Sequence, residues 1–343
     1  MPRRATEDPA TFDGSIDRRR EDALDLLAPY PSLLLAVSGG PDSVALMLLC
    51  AQWSLRRPRD IAVATVDHRF RTEARAEAEE VGRWARALGY AHHLLTWENA
   101  RPATRLQERA RDARYALLTA CARRIGACAI VLAHHADDQA ETILFRLTRG
   151  SGIAGLAGMA RIACREDIAL LRPLLDFRKA ELEAICAQAG HPFFHDPSNE
   201  DESFARVRMR KLAPTLAAQG LGQDALLRLG ARAARADAAL THCAAGVLER
   251  ALRRSESGCI ELDAATLAEA PLEILQRALA SAILRLGAAP TLRLERLERA
   301  SARIAAALAA RRALRMTLAD VSIDADGERV RLRPAPPRRA AQT

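Results

Sequence analysis

The stretch that most constrains the fold is a glycine-rich turn between an apolar run and a helix-forming run. Leu33–Val37 is apolar throughout and predicts a buried strand, and Ser38–Ser43 (Ser-Gly-Gly-Pro-Asp-Ser) follows it directly. Asp42 or Ser43 is expected to cap the next helix, because short side-chain oxygens accept the free N–H groups of a first turn. Glycines let a ligand approach the backbone closely, and a helix N-terminus attracts anions. The stretch therefore predicts a phosphate-binding loop.

The turn does not match two common types of phosphate loop. The Walker A pattern needs a lysine after its last glycine, and the chain has lysine only at Lys179 and Lys211. The dinucleotide pattern Gly-x-Gly-x-x-Gly is absent from the turn. Ser-Gly-Gly-x-Asp-Ser instead resembles the loop of ATP pyrophosphatases, which cleave ATP to AMP and pyrophosphate while adenylating a substrate. An ordinary strand-to-helix turn remains the alternative, because six residues are a short pattern.

Apolar runs alternate with helical patterns before and after this turn. Four runs predict strands, over residues 33–37, 61–66, 92–97 and 127–133. Strands that alternate with helices predict a doubly wound, mostly parallel α/β sheet, in which ligands bind outside the carboxyl ends of the strands. The turn, Asp67-His68 and His134-His135 follow three of these runs directly. We therefore expect them to share one site.

Composition limits the classes of function. Hydrophobic residues make up 49 % of the chain, no apolar run is long enough to span a membrane, and the first 20 residues are polar. We thus expect neither a membrane protein nor a secretory signal. Seven cysteines form no Cys-x-x-Cys pair, which favours buried thiols in a reducing cytoplasm. The net charge of +8 favours a polyanionic partner, with a general arginine-rich bias as the alternative.

The character of the sequence changes near residue 213. Long alanine- and leucine-rich stretches beyond it predict helices, over residues 223–253, 264–286 and 291–311. Asp326-Gly327, inside an alternating stretch, predicts a terminal hairpin. Residues 213–343 hold 20 arginines against 14 acidic residues, a net charge of +6, and the preceding part carries +2. We predict a catalytic α/β domain over 1–212 and a mainly helical, polyanion-binding domain over 213–343.

A cluster of histidines and aspartates follows the fourth strand and has three interpretations. His134, His135, Asp137 and Asp138 could form a hydrolytic metal centre. A nucleotide with magnesium fits better beside a phosphate loop. The aspartates would also serve as ordinary caps at a helix N-terminus, with both histidines packed in the protein.

Arginines at helical spacing offer further contacts to phosphate. Three groups share a helix face or a short segment: Arg111 with Arg114, Arg206 with Arg208 and Arg210, and Arg296 with Arg299 and Arg303. Arginine binds phosphate through two parallel N–H groups, so each group could hold phosphate or RNA. A solvated helix surface is the alternative for each group, and Glu295 and Glu298 could pair with the last one.

These motifs together resemble the tRNA(Ile)-lysidine synthases. The resemblance extends over roughly residues 30–212 and departs at Val207, where the family usually has asparagine. Its most specific part runs almost without interruption from Ala133 to Met159, with His-His-Ala-Asp-Asp-Gln-Ala-Glu-Thr near its start. The other matching segments are Leu35–Ser43, Val66–Arg71, Ala110–Tyr115, Arg172–Leu175 and Asp196–Asn199.

The resemblance implies a PP-loop fold, like that of the adenine-nucleotide alpha hydrolases, and an ATP-dependent ligase that forms a C–N bond. In this reaction ATP adenylates the C2 oxygen of the wobble cytidine in an isoleucine tRNA with a CAU anticodon. The ε-amine of free lysine then displaces AMP and gives lysidine. The implied cofactors are ATP and Mg²⁺, the implied location is the cytoplasm, and a homodimer is allowed for.

Residue roles follow from the same resemblance. The loop residues Ser38, Gly39, Gly40, Pro41, Asp42 and Ser43 would hold ATP, with Asp42 also binding magnesium. Catalysis near the α-phosphate or the lysine would involve Asp42, Arg111, His134 and Asp137. Contacts with the substrate and the tRNA would come from Asp67, His68, Arg114, Asp138, Arg206 and Arg208. Asp137 or Asp138 is the expected partner of the lysine amine, and residues 213–343 would bind the tRNA.

Two other classes of function remain open on the sequence. A PP-loop tRNA thiolase uses the same loop, but usually needs a catalytic cysteine pair or an iron–sulfur cluster, and the missing Cys-x-x-Cys pair argues against it. A non-catalytic RNA-binding protein on a decayed ATPase scaffold would explain the charge. The intact loop and the His-His-Ala-Asp-Asp stretch argue against that class.

Overall fold

The computed structural model describes residues 18–69, 73–98, 106–195, 205–256, 258–287 and 292–336. Six strands form the first sheet: β1 Ser32–Ala36, β2 Asp60–Asp67, β3 Ala91–Thr96, β4 Ala129–Leu132, β5 Ile162–Arg165 and β6 Ile168–Leu171. The helices that accompany them are α1 Arg18–Leu24, α2 Pro41–Arg56, α3 Ala74–Ala87, α4 Leu106–Ile125, α5 Ala136–Leu147, α6 Ile153–Leu156, α7 Lys179–Gln188 and α8 Ala205–Ala218.

The first sheet has the strand order β3-β2-β1-β4-β6-β5. Its strands are parallel except for β5, which pairs antiparallel with β6 at the edge. The predicted doubly wound, mostly parallel sheet is therefore confirmed. The strand order reverses at β1, with β2 on one side and β4 on the other, which places a crevice at the carboxyl end of β1.

Side chains of β1 explain why helices cover both faces of the sheet. Leu33 and Leu35 pack into one core with α2 and α7, and Leu34 packs into another with α4. All three leucines are at most 1 % exposed. Successive strand residues point to opposite faces, so an uninterrupted apolar run needs a cover on each side. The central strand thus fixes the layered architecture that positions the loop after it.

The edge of the first sheet differs from the sequence prediction. The apolar run Ala169–Leu175 predicts a single strand, whereas β6 ends at Leu171 and pairs with β5 in a hairpin. Glu166 and Asp167 form its two-residue turn, both with positive φ, 48° and 71°. Such turns normally carry glycine or asparagine, and the absence of both hid the hairpin.

The second sheet has five antiparallel strands. They are β7 Leu252–Glu256, β8 Cys259–Asp263, β9 Leu314–Leu318, β10 Val321–Ala325 and β11 Arg329–Pro334, in the order β7-β8-β11-β10-β9. Four more helices belong to this part: α9 Gln223–Ala251, α10 Ala264–Ala268, α11 Leu272–Arg285 and α12 Leu294–Ala309. The hairpin at Asp326-Gly327 is present, since Asp326 N donates to Arg329 O at 3.1 Å. The part is helical as predicted but carries more sheet than the one hairpin.

The chain divides into two compact units at Arg228 and Leu229, inside α9. The boundary predicted near 213 lies within α8, which packs against α5 and so stays with the first unit. Gly150–Ala157 belongs to the second unit, although the residues immediately before and after it in the chain belong to the first. The glycine-rich sequence of Gly150–Gly158 predicts either a mobile loop over the site or a simple connector, and the segment contains the short helix α6. None of the helices among the described residues is long and apolar enough to cross a membrane.

Candidate active site

The loop after β1 gathers backbone amides around one oxygen. The hydroxyl of Ser43 accepts hydrogen bonds from Ser38 N at 3.1 Å and Gly39 N at 3.2 Å, and donates to Gly40 O at 3.0 Å. Gly40 is the N-cap of α2 and Pro41 its first residue. The prediction that Asp42 or Ser43 caps this helix is therefore wrong, because proline suits the first helical position. The loop amides and the helix N-terminus surround a point suited to an anionic oxygen.

Gly39 holds the loop in a conformation that other residues rarely adopt. Its φ is +91°, and a Cβ atom there would lie 2.8 Å from Phe194 Cδ2 and 3.0 Å from Val81 Cγ2. Phe194 N donates to Gly39 O at 2.8 Å, and the Phe194 ring stacks on Trp84 with centroids 5.1 Å apart. Glycine is required here for both its backbone freedom and its size.

Three carboxylates converge on the buried ring of His135. Nε2 lies 3.5 Å from Asp42 Oδ2 and 3.6 Å from Asp138 Oδ2, and Nδ1 lies 3.4 Å from Asp137 Oδ2. Burial alone would lower the pKa of His135, but its close contacts with Asp137 and Asp42 and the charge of Asp138 raise it from 6.5 to about 10. The ring is thus a cation at neutral pH that balances the carboxylates around it.

Asp137 connects this cluster to the start of α7. Its Oδ2 accepts a hydrogen bond from Lys179 N at 2.9 Å. The contact with His135, opposed by burial and assisted by the hydrogen bond from Lys179 N, lowers the pKa of Asp137 to about 2. Asp137 is therefore a permanent anion at neutral pH.

Asp42 carries a buried oxygen suited to a cation. Its Oδ1 atom is buried and has no hydrogen-bond partner within the described residues, while Oδ2 faces His135. No group of three or more His, Cys, Asp or Glu side chains in the described ranges could hold a metal by itself. Mg²⁺ commonly binds one or two carboxylates and completes its shell with waters and substrate phosphates. Asp42 fits such a shared site.

A cavity of about 460 Å³ opens beside the acidic cluster. Asp42, His135, Asp137, Asp138, Glu141, Lys179 and Arg210 give it charged groups. Its apolar wall consists of Ala140, Leu144, Met209, Ala213, Leu221 and Leu226, which come from α5, α8 and the residues up to the start of α9. Arg210 donates hydrogen bonds to Glu141 from Nε and from Nη2, and Nη2 lies 3.2 Å from Oε2. This contact raises the pKa of the guanidinium. The cavity combines opposite charges with an apolar surface.

A smaller cavity of about 160 Å³ lies at the carboxyl ends of β1 and β4. Ser38, Asp42 and Ser43 line it together with Arg114 from α4 and His134. Asp42 lines both cavities, so the loop stands between them.

The structure leaves several predicted site residues outside both cavities. Asp67 is buried and its Oδ1 accepts from Arg69 N at 2.8 Å. His68 packs edge-on to Trp97, and burial followed by the charge of Arg114 lowers its pKa to about 4. Arg111 lies over the ring of Tyr115 at 5.3 Å. The side chains of Arg206 and Arg208, and the whole of 196–199, lie outside the described residues.

Sequence reasoning placed His135 in the candidate cluster but gave it no role of its own, and it missed three residues that the structure brings to the site or its loop. Lys179, Glu141 and Phe194 had no signal at short range, since their partners are remote in the chain. Arg210 was assigned to an RNA path, and the structure places it on the wall of the larger cavity.

Comparisons with known proteins agree with this geometry. A family model described as a PP-loop domain matches residues 16–216, more than half of the chain, so the chain is a member of this ATP-using class. A tRNA(Ile)-lysidine synthase of Methylobacterium sp. (strain 4-46) is 50 % identical over 311 residues, 90 % of each chain. One of Rhodopseudomonas palustris is 46 % identical over 319 residues, 90 % of this chain and 92 % of the relative. The chain belongs to the tRNA(Ile)-lysidine synthase family.

A solved structure shows the same fold at low identity. The U34-tRNA thiolase NcsA from Methanococcus maripaludis, solved with its [4Fe-4S] cluster, has a TM-score of 0.53 at 13 % identity. The match covers 63 % of this chain and 78 % of that one. At this identity the likeness supports the fold and not the thiolase reaction.

Proposed function

We propose that this chain forms lysidine on an isoleucine tRNA with a CAU anticodon. ATP adenylates the C2 oxygen of the wobble cytidine, and the ε-amine of free lysine displaces AMP. The observation that carries the proposal is the 50 % identity to a tRNA(Ile)-lysidine synthase over 90 % of both chains. The PP-loop domain over 16–216 supports the use of ATP.

The loop accounts for the binding of ATP. A phosphate oxygen can take the place of the Ser43 hydroxyl as acceptor of the amides of Ser38 and Gly39. The buried Oδ1 of Asp42 is free to bind a Mg²⁺ ion shared with the phosphates. The metal would balance the charge of the leaving pyrophosphate.

The larger cavity supports lysine as the nucleophile. Its apolar wall, including Leu144, Met209 and Leu226, suits four methylene groups, and its carboxylates suit an ammonium group. Arg210 contacts Glu141 through Nε and Nη2, and its remaining N–H groups are available for the amino-acid carboxylate. This mixture of groups matches a long, doubly charged amino acid.

Asp137 and His135 orient the amine rather than deprotonate it. A carboxylate with a pKa of about 2 is too weak a base for an amine whose ordinary pKa is about 10.4. His135, with a pKa of about 10, already holds its proton at neutral pH. Their role in this proposal is to fix the ammonium binding site and its net charge.

The second unit supports RNA as the partner. Arg296, Arg299 and Arg303, here called the basic stripe, are exposed on α12, and no ion pair engages them in the described part of the chain. Two arginines of the second sheet are paired instead: Arg329 and Arg331 bind Glu261 at 3.1 and 3.2 Å. Unpaired cations on one face suit a phosphate backbone. The homodimer stays a prediction.

The decisive experiment is mass spectrometry of the anticodon fragment after incubation with ATP and isotope-labelled lysine. Label on the wobble cytidine is the expected result. AMP release without label in the tRNA, or incorporation of sulfur when a sulfur donor is supplied, would overturn the proposal in favour of a thiolase. Tight RNA binding with no ATP consumption would instead indicate the non-catalytic alternative.

A further inference from the structure

A short segment after α7 packs directly on the phosphate loop. Residues 191–195 have neither helix nor strand, and they lead from α7 towards α8. Phe194 makes two contacts with Gly39: its N–H donates to the Gly39 carbonyl at 2.8 Å, and its ring fills the space beside the Gly39 Cα. The loop and this segment are separated by about 150 residues in sequence, so the contact is tertiary.

The Phe194 ring packs in turn on an aromatic side chain of α3. It stacks on Trp84 at 5.1 Å with 22° between the planes, and the edge of His191 meets Trp84 at 4.9 Å. Trp84 and Val81 belong to α3, which packs against β2 and β3 of the sheet. The stack therefore holds the Phe194 ring, and through it Gly39, against a helix that is packed on the sheet. Offset-stacked aromatic pairs of this kind stabilise the contact beyond the burial of their surfaces.

Gly39 needs such support because its backbone has many alternatives. Glycine loses more conformational freedom on ordering than any other residue, and φ of +91° is one of several accessible conformations. The amides of Ser38 and Gly39 point at a common oxygen only while this conformation holds. A loop that is ordered before the ligand arrives avoids the entropy of ordering it on binding.

We propose that Phe194 is a positioning residue for ATP, whose ring and backbone N–H hold the loop at Gly39 in the phosphate-binding conformation. The inference rests on the proposed function only in that the ATP phosphates bind this loop. Phe194 lines neither cavity, so it acts through Gly39 and not by touching ATP. The stabilised step is the binding of ATP, and chemistry on the bound complex is unaffected.

The test compares Phe194→Ala with Phe193→Ala in the full chain. Phe193 is the adjacent, half-buried phenylalanine, and its ring packs on His195 at 5.1 Å. Phe194→Ala keeps the backbone N–H and removes the ring. We expect the KM for ATP to rise about tenfold, which corresponds to about 1.4 kcal/mol. The KM for tRNA, the KM for lysine and kcat at saturating ATP should stay within about twofold of wild type, and Phe193→Ala should leave the KM for ATP unchanged.

A binding measurement separates the inference from the activity. Calorimetric titration of a non-hydrolysable ATP analogue into each variant should show the same loss for Phe194→Ala and a smaller loss, of about threefold, for Phe194→Leu, which refills part of the space but cannot stack on Trp84. Phe194→Leu also serves if Phe194→Ala does not fold. The inference would be overturned if Phe194→Leu bound ATP as tightly as Phe193→Ala and wild type do. This holds whether Phe194→Ala binds ATP equally tightly or fails to fold. A fall in kcat with unchanged affinity would also overturn it. Failure of the wild type to form lysidine would count against the proposed function alone.

Discussion

Replacing His135 with glutamine tests whether a buried cation holds the acidic cluster together. In the folded chain the pKa of His135 is about 10, and in the unfolded chain the ordinary value of about 6.5 applies. The folded pKa is the higher one, so binding the proton favours folding. This contribution is fully present below pH 6.5 and is lost as the pH rises through about 10.

The size of the effect follows from these two pKa values. Linkage gives a contribution of about 3 kcal/mol at pH 7.5 and about 1 kcal/mol at pH 9. The lowered pKa of Asp137 results from the same contact, so no separate contribution to the unfolding free energy is counted for it. The difference in unfolding free energy between wild type and His135→Gln should therefore shrink by about 2 kcal/mol between pH 7.5 and pH 9.

Comparing the two proteins at each pH removes a competing titration. The buried thiols of Cys50 and Cys186 have a pKa raised by burial to about 12 and about 11, so they ionise only in the unfolded chain across this range. They reduce stability at high pH in wild type and variant alike, and the loss cancels in the difference. Measurements with a chelator present keep metal off Asp42.

Urea unfolding followed by tryptophan fluorescence is the appropriate assay. All three tryptophans, at positions 53, 84 and 97, lie in the first unit, so the signal reports the unfolding of that unit. His92→Gln is the matched control, because burial lowers the pKa of His92 to about 4 and the residue is neutral throughout the range. Parallel pH profiles for wild type and His135→Gln would refute a charged His135. A His92→Gln profile that flattens like that of His135→Gln would refute the assignment to this residue.

Three further changes test the remaining site residues. Asp42→Ala should leave the chain folded and reduce AMP formation at least a hundredfold by removing the proposed magnesium ligand, and wild-type turnover by a folded variant would exclude that role. Arg210→Gln should raise the KM for lysine about tenfold and leave the KM for ATP unchanged, because the cavity loses the cation proposed to bind the lysine carboxylate. Steady-state kinetics with each substrate varied in turn measures both constants, and an equal rise in the KM for ATP would contradict this role. Changing all three arginines of the basic stripe to glutamine should weaken tRNA binding and lower the slope of log affinity against log salt by about 2 to 3, whereas an unchanged slope would place the phosphate contacts elsewhere.

The central part of the fold could be predicted from sequence because its signals are local. An unbroken apolar run marks β1, and the turn that follows contains the glycine with positive φ. The hairpin of β5 and β6 was missed because Glu166 and Asp167 adopt positive φ without glycine. The strand β7 was missed because Arg253 and Arg254 leave it without apolar alternation, and β8 was missed because its alternation extends over only five residues, Cys259–Asp263.

The site was harder to predict because adjacent side chains diverge. His134 and His135 are consecutive, and His135 has extended backbone with φ of −125° and ψ of −177°. Neighbouring side chains on extended backbone point in opposite directions, so His134 lines the smaller cavity and His135 faces the carboxylates. Sequence identified the pair but gave no means to decide which ring meets which group.

The scarcity of lysine has a consequence for chemical footprinting. Lys179 and Lys211 are the only lysines, and Lys179 lies on the wall of the larger cavity, where its Nζ is 3.8 Å from Glu183 Oε1. The cavity proposed to receive an amine thus already contains a protein amine, held against a carboxylate of its own helix. An amine-acylating reagent would meet few targets in this chain, so the modification of Lys179 reports directly on access to the cavity. Free lysine also consumes the reagent, so the exposed Lys211 serves as the internal reference: occupation of the cavity by lysine should lower the ratio of Lys179 to Lys211 modification, and arginine-rich surfaces elsewhere would add no background.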